Sequence, residues 1–187
     1  FVGRSRELLA LERLLAVERY AVVRGQGGEG KTALASEFAR WRVRARQVAR
    51  AAFVSLEKQG DAAAVLDELG RQLVGRAYNV TAYRAFEDAS EAVRRELREQ
   101  PTLLVIDNLE SVLAPPFALG GESGEAGQDA LVADERERAD EILRLAAELM
   151  DCGETRVVFT SREALPAPFA GETQGIELDR LSRADAV

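Results

Sequence analysis

Residues 22 to 34 read VVRGQGGEGKTAL: an apolar run, four glycines at 25, 27, 28 and 30, then Lys31 and Thr32. Glycine loses more backbone freedom on folding than any other residue. A chain that gathers four of them ahead of a helical pattern is either making a loose turn or bringing its backbone very close to something. A loose turn has no use for Lys-Thr at its exit. Gly25 to Thr32 fits the phosphate-binding pattern G-x-x-x-x-G-K-[ST], and each part has a physical job. Backbone N–H groups of a tight loop can converge on anionic oxygens. Side chains would block that approach, hence glycine. The helix that follows aims its positive dipole end at the same point. Lys31 adds a point charge for the β- and γ-phosphates, and the Thr32 hydroxyl is a ligand for Mg²⁺. The expected cradle is Gly25, Gln26, Gly27, Gly28, Glu29, Gly30, Lys31, Thr32 and Ala33.

Working outward, strands and helices alternate. Ser5 to Val17 places Leu8, Leu11, Leu14 and Leu15 on one helical face. Tyr20 to Arg24 reads as a buried strand ending at the glycines. Lys31 to about Arg44 reads as a helix with Leu34, Phe38 and Trp41 in register. Ala51 to Leu56 is a second strand. Asp61 is an N-cap for a helix carrying Leu66, Leu69 and Leu73. Thr81 is a candidate cap for the next helix, with Ala82, Phe86, Ala89, Val93 and Leu97 aligned. Thr102 to Ile106 is a third strand, Asp129 to Met150 a helix with Ile142, Leu145 and Leu149 in register, Arg156 to Thr160 a fourth strand and Ile176 to Leu181 a fifth. The strands are short, continuously apolar and rich in branched residues, as in a parallel sheet covered on both faces. The expected fold class is α/β: a three-layer α/β/α sandwich around a five-stranded parallel sheet. Residues 114 to 130, rich in Pro, Gly and acids, read as a surface loop.

With 187 residues the chain is long enough for one domain with a sizeable core. Its net charge of −7 gives no sign of a nucleic-acid surface. The run RWRVRARQVAR at 40 to 50 reads as a solvated helix face and loop. A single cysteine, Cys152, excludes an internal disulfide and fits a reducing, cytoplasmic setting. With no histidine, Ser-His and Cys-His catalysis are excluded and zinc chemistry is disfavoured. No apolar run approaches the roughly 20 residues that cross a bilayer, so no membrane partner is expected. The chain begins at Phe1 and stops at Val187 just after an apolar run, which reads as a segment of a longer protein.

A phosphate loop calls for a second acid on the metal side. In TLLVIDNLE, residues 102 to 110, four apolar residues run into Asp107, at the strand edge where ligands bind in such sheets. Asp107 and Thr32 are the expected metal-side pair. In VVFTSRE, residues 157 to 163, another strand ends in polar residues, and Arg162 is placed to sense the γ-phosphate. No Asn-Lys-x-Asp guanine reader is present, which favours ATP or ADP.

In this order, FVGRSREL at 1 to 8, GQGGEGKTALA at 25 to 35, LLVIDNLESVL at 103 to 113, VVFTSRE at 157 to 163 and IELDRLSRADAV at 176 to 187 resemble the STAND class of P-loop ATPases, near its NB-ARC and bacterial-regulator branches. The resemblance implies the sheet order 5-1-4-3-2. It also implies an ATP/ADP switch that closes on downstream helical and winged-helix modules and forms homo-oligomers when open. By the same likeness Val2, Gly3 and Arg4 lie against adenine, residues 1–19 are a lead-in, 20–181 the core and 182–187 the start of the helical module. A plain helix lead-in with Ser5 as cap is the alternative for the opening residues.

One departure bears on rate. Many related ATPases follow the metal aspartate with an acid that polarises the attacking water; here that position is Asn108. An amide orients water but takes no proton, so hydrolysis is expected to be slow. Glu110 stands in only if the loop bends suitably. Two other readings are a P-loop small-molecule kinase, which would want an arginine-bearing lid, and an AAA+-type remodelling or DNA-loading ATPase, which would want a catalytic acid after Asp107 and an arginine finger acting across subunits.

Overall fold

The computed structural model describes residues 3–57, 60–113, 126–171 and 173–179, and the side chains of all of these except 126–132. Its elements are α1 (Ser5–Val17), β1 (Tyr20–Arg24), α2 (Lys31–Arg44), β2 (Arg50–Ser55), α3 (Ala62–Leu73), α4 (Phe86–Glu99), β3 (Thr102–Asp107), α5 (Ala126–Met150), β4 (Arg156–Ser161) and β5 (Gly175–Glu177). The five strands form one sheet in the order β2-β3-β4-β1-β5, and every pairing is parallel. Read from the other edge this is 5-1-4-3-2, the expected order.

Two cores explain why the strands are apolar without alternation. Ala21, Val23, Leu103, Val105 and Val158 pack against Leu11 and Leu15 of α1 and Leu34 and Phe38 of α2. Their strand neighbours Val22, Leu104, Ile106, Val157 and Phe159 point the opposite way, onto Leu66 and Leu69 of α3, Val93 and Leu97 of α4, and Leu145 and Leu149 of α5. Each side of the pleat is therefore covered, and all six residues of β3 are buried. Fully burying a Leu or Val side chain stabilises by about 1.5–3 kcal/mol, so the central strands anchor the sheet and hold its edge in place. Val23 pairs with Thr160 and Arg24 with Ser161, while Ile106 pairs with Phe159. The C-terminal ends of β1, β3 and β4 thus lie level along one edge.

Several local expectations need correction. Thr81 caps no α-helix: Asn79 caps a short 3₁₀ turn, Val80–Ala82, and α4 begins only at Phe86. Phe86 and Ala82 accordingly lie outside the core that Ala89, Val93 and Leu97 join. Helix α1 has Arg4 at its N-cap with no side-chain cap bond, so Ser5 is its first helical residue rather than its cap. Strand β5 ends at Glu177, because Leu178 turns inward to cover β1 and donates its N–H to Arg24 O at 2.7 Å. Of the loop expected at 114 to 130, the last five residues belong to α5, which starts three residues before Asp129, and 114–125 lie outside the described residues. The 182–187 segment lies outside them as well.

The basic run at 40 to 50 is not a plain solvated face. Arg42 is buried with its guanidinium 5.8 Å from the Phe38 ring centroid, and burial lowers its pKa from the ordinary arginine value. Arg50 clamps the sheet edge to the helices, donating to Leu73 O and Glu96 O. On the open side of β2, Gln72 of α3 accepts from Phe53 N at 2.9 Å and donates to Phe53 O at 2.7 Å. One side-chain amide thereby occupies a backbone pair that an edge strand leaves free. Among the described residues no helix is long and apolar enough to cross a membrane.

Candidate functional site: a phosphate loop at the strand edge

The loop is shaped by its glycines where β1 ends. At Gly25 (φ 156°) a Cβ would stand 2.9 Å from Leu178 O, so only glycine lets the chain after β5 pass this close. Gly30 (φ 86°) is left-handed and is the N-cap of α2. No side chain caps α2, so its first-turn N–H groups, which have no partner inside the helix, face the cradle. Lys31 is buried and folds back over the loop, donating through Nζ to Gly25 O at 2.8 Å and Gln26 O at 3.2 Å. Glu29 accepts from Gln26 N–H within the same loop. Uncapped amides, a helix dipole and a lysine thus converge on one point, an arrangement suited to a polyphosphate.

Asp107 closes the site from β3. It is buried, and its Oδ1 accepts from Thr32 Oγ1 at 2.8 Å and from Thr160 Oγ1 at 2.6 Å. The Thr160 hydroxyl in turn accepts from Asn108 N at 2.9 Å. A hydroxyl and a carboxylate are thereby held together at the mouth of the loop. They fit Mg²⁺, which takes one or two protein oxygens and leaves its other positions to water and substrate phosphates. Among the described residues there is no group of three or more acidic, cysteine or histidine side chains that could hold a metal.

Beyond Asp107 the chain bends sharply. Asn108 adopts the left-handed conformation (φ 65°), which asparagine tolerates, and Leu109–Ser111 form a 3₁₀ turn. The Asn108 amide swings to Ser111, donating through Nδ2 to Oγ at 2.5 Å. Glu110 comes back toward the loop: its Oε1 lies 3.8 Å from Lys31 Nζ and 3.0 Å from Arg162 Nε. Arg162 reaches this position from the end of β4 and stands over the loop, with a guanidinium nitrogen 3.6 Å from where a Cβ on Gly27 would be. Lys31, Thr32, Asp107 and Arg162 are therefore brought to one place. Thr160 was legible only as a polar end to a strand, and Glu110 only as a conditional substitute.

The lead-in is anchored beside the loop through Arg4. Arg4 is buried, pairs with Glu7 at 2.8 Å, and donates to Glu29 O at 3.0 Å and Asp179 O at 2.6 Å. Its guanidinium ties the lead-in to the phosphate loop and to the segment after β5. Gly3 precedes it with φ 85°. Val2 lies outside the described residues.

Solved structures similar to the chain include Aeropyrum pernix ORC1 in complex with DNA (16% identity, 99% of this chain and 47% of that one, TM-score 0.62). Pyrobaculum aerophilum Cdc6p (16% identity, 94% and 45%, TM-score 0.57) and Drosophila ORC bound to DNA (21% identity, 94% and 42%, TM-score 0.56) are also similar. At such identities the likeness speaks to fold, and the chain spans about half the length of these structures. No curated protein matches the sequence. The family profile described as AAA domain matches residues 16–173, most of the chain including the phosphate loop, Asp107 and Arg162, and the chain belongs to that family of P-loop NTPases.

Proposed function

We propose that the chain is the ATP/ADP-binding module of a larger switch ATPase, one that hydrolyses ATP slowly and uses the nucleotide to control conformation and assembly. The observation that carries this reading is the Thr32–Asp107–Thr160 chain at the mouth of a loop whose lysine and helix amides face the same point. Loop amides and Lys31 bind the phosphates. Thr32 and Asp107 would hold Mg²⁺, which when bound offsets charge on the phosphates. Arg162 leaves its partner Glu110 to meet the terminal phosphate, so the chain after β4 responds to whether that phosphate is present. The resemblance to the STAND class supports downstream helical and winged-helix modules as partners, with homo-oligomerisation on exchange to ATP.

The test is to purify the chain without added nucleotide, denature it, and identify what is released by ion-exchange chromatography. The reading predicts about one ADP per chain, absent from Lys31→Ala. A parent chain that carries none and retains none after incubation with ADP and Mg²⁺ contradicts it.

A second reading, a DNA-loading or remodelling ATPase, is favoured by the AAA domain match and by two similar structures being complexes with DNA. Against it stand the net charge of −7 and the pairing of Arg40, Arg44 and Arg50 with Glu37 and Glu96. Turnover stimulated by duplex DNA would decide for this second reading.

A further inference from the structure

Asn108 stands where a water-activating acid would follow Asp107, and its amide is turned to Ser111. The same bend that turns it away returns Glu110 to the phosphate loop. Glu110 is mostly buried, and its two oxygens differ. Oε1 faces Lys31 and Arg162, at 3.8 and 3.0 Å. Oε2 is buried and has no hydrogen-bond partner among the described residues. A buried carboxylate oxygen without a donor is costly, and such atoms call for a function or a bound water. The other acids nearby are already engaged: Asp107 through Oδ1 with Thr32 and Thr160, Glu29 with Gln26 N–H.

We infer that Glu110, two residues beyond the usual position, is the general base for ATP hydrolysis, an inference that rests on the function proposed above. Its carboxylate accepts a proton from the attacking water as the water oxygen bonds to the γ-phosphorus. The bond from that phosphorus to the β–γ bridging oxygen breaks, and its electron pair leaves on ADP. Glu110 then returns the proton to the inorganic phosphate. Before nucleotide binds, Lys31 and Arg162 hold the carboxylate at the phosphate end of the site; when Arg162 turns to the terminal phosphate, the carboxylate is released toward the attacking water.

The experiment compares the parent with Glu110→Gln, which keeps the side chain's shape and removes its basicity. Three quantities are measured: the Kd for ADP by calorimetry, single-turnover cleavage of ATP with Mg²⁺, and the identity of the nucleotide on the protein after incubation. The expected result is an ADP affinity within about threefold of the parent and cleavage slower by about a hundredfold or more, the range for a lost general base, with intact ATP left on the variant. Cleavage within about fivefold of the parent overturns the assignment, as does a loss of cleavage matched by an equal loss of ADP binding. Should Glu110→Gln fail to fold, Glu110→Asp is read instead; it is expected to bind ADP and cleave more slowly, and a parental rate overturns the assignment. A parent that binds ADP yet never cleaves ATP sinks the role of Glu110 alone. A parent that binds no nucleotide sinks the proposed function with it.

Discussion

Thr160 has no exposed surface, and its one hydroxyl serves two neighbours, donating to Asp107 and accepting from Asn108 N–H. Valine has nearly the same shape and offers neither bond. Thr160→Val therefore leaves a buried carboxylate oxygen and a backbone amide short of a partner, and is expected to destabilise by about 1–3 kcal/mol in chemical denaturation. Unchanged stability would mean that the hydroxyl does not hold Asp107. Residues of this kind mark the limit of sequence reading at this scale. Lys31, Thr32 and Asp107 are legible because their local pattern is itself the signal: a glycine loop before a helix, and an acid at the end of an apolar run. Thr160 and Glu110 matter through partners 53 and 79 residues away in the chain (Asp107 and Lys31), and no spacing reveals that.

Among the elements, α3 holds the sharpest local conflict. Gly70 lies inside the helix, where Gly→Ala is ordinarily worth about 0.5–1 kcal/mol of added stability. Here a Cβ would lie 2.1 Å from Tyr78 Cε1, and the phenol is anchored by its bond to Ala89 O at 2.9 Å. Gly70→Ala is thus predicted to lose about 1–3 kcal/mol, the usual cost of overpacking, with a lowered melting temperature. A gain in melting temperature would show that Tyr78 moves freely. This contact also explains the misplaced start of α4. Ala82 and Phe86 keep helical spacing with Ala89, Val93 and Leu97, but Tyr78 reaches back between α3 and α4, and the chain makes a 3₁₀ turn at Val80–Ala82 instead. Helices α1, α2 and α3 are legible in the sequence to within a residue or so.

At the scale of the whole molecule the three layers and parallel strands follow from composition of the strands alone, whereas their order came from resemblance. Five apolar strands can be arranged in many ways, and nothing local says that β4 sits between β3 and β1. That arrangement is what brings Thr160 and Arg162 beside the loop. Stability of the assembled fold should also depend on alkaline pH. Burial, with smaller contributions from Tyr83 and Asp67, pushes the Tyr78 phenol well above its ordinary value of about 10. The fold therefore favours the protonated form. Its contribution is complete below about pH 10 and is lost as pH rises further, because the unfolded chain gives up that proton first. Denaturation midpoints measured from pH 9 to 11.5 should fall more steeply for the parent than for Tyr78→Phe; equal slopes would contradict this (a parallel offset from the lost hydroxyl bond is expected).

The most direct measurement is calorimetric titration of the nucleotide-free chain with ADP and ATP in the presence of Mg²⁺, set beside Lys31→Ala. Lys31 is the buried cation of the cradle, and hydrogen bonds to charged groups are each worth about 1.5–3 kcal/mol, or roughly 10- to 150-fold in affinity. The account predicts one site per chain in the parent and binding weaker by at least the lower end of that range in the variant. Equal affinities in the two proteins, or no binding by the parent, would contradict the claim that the loop from Gly25 to Thr32 exists to hold a nucleotide's phosphates.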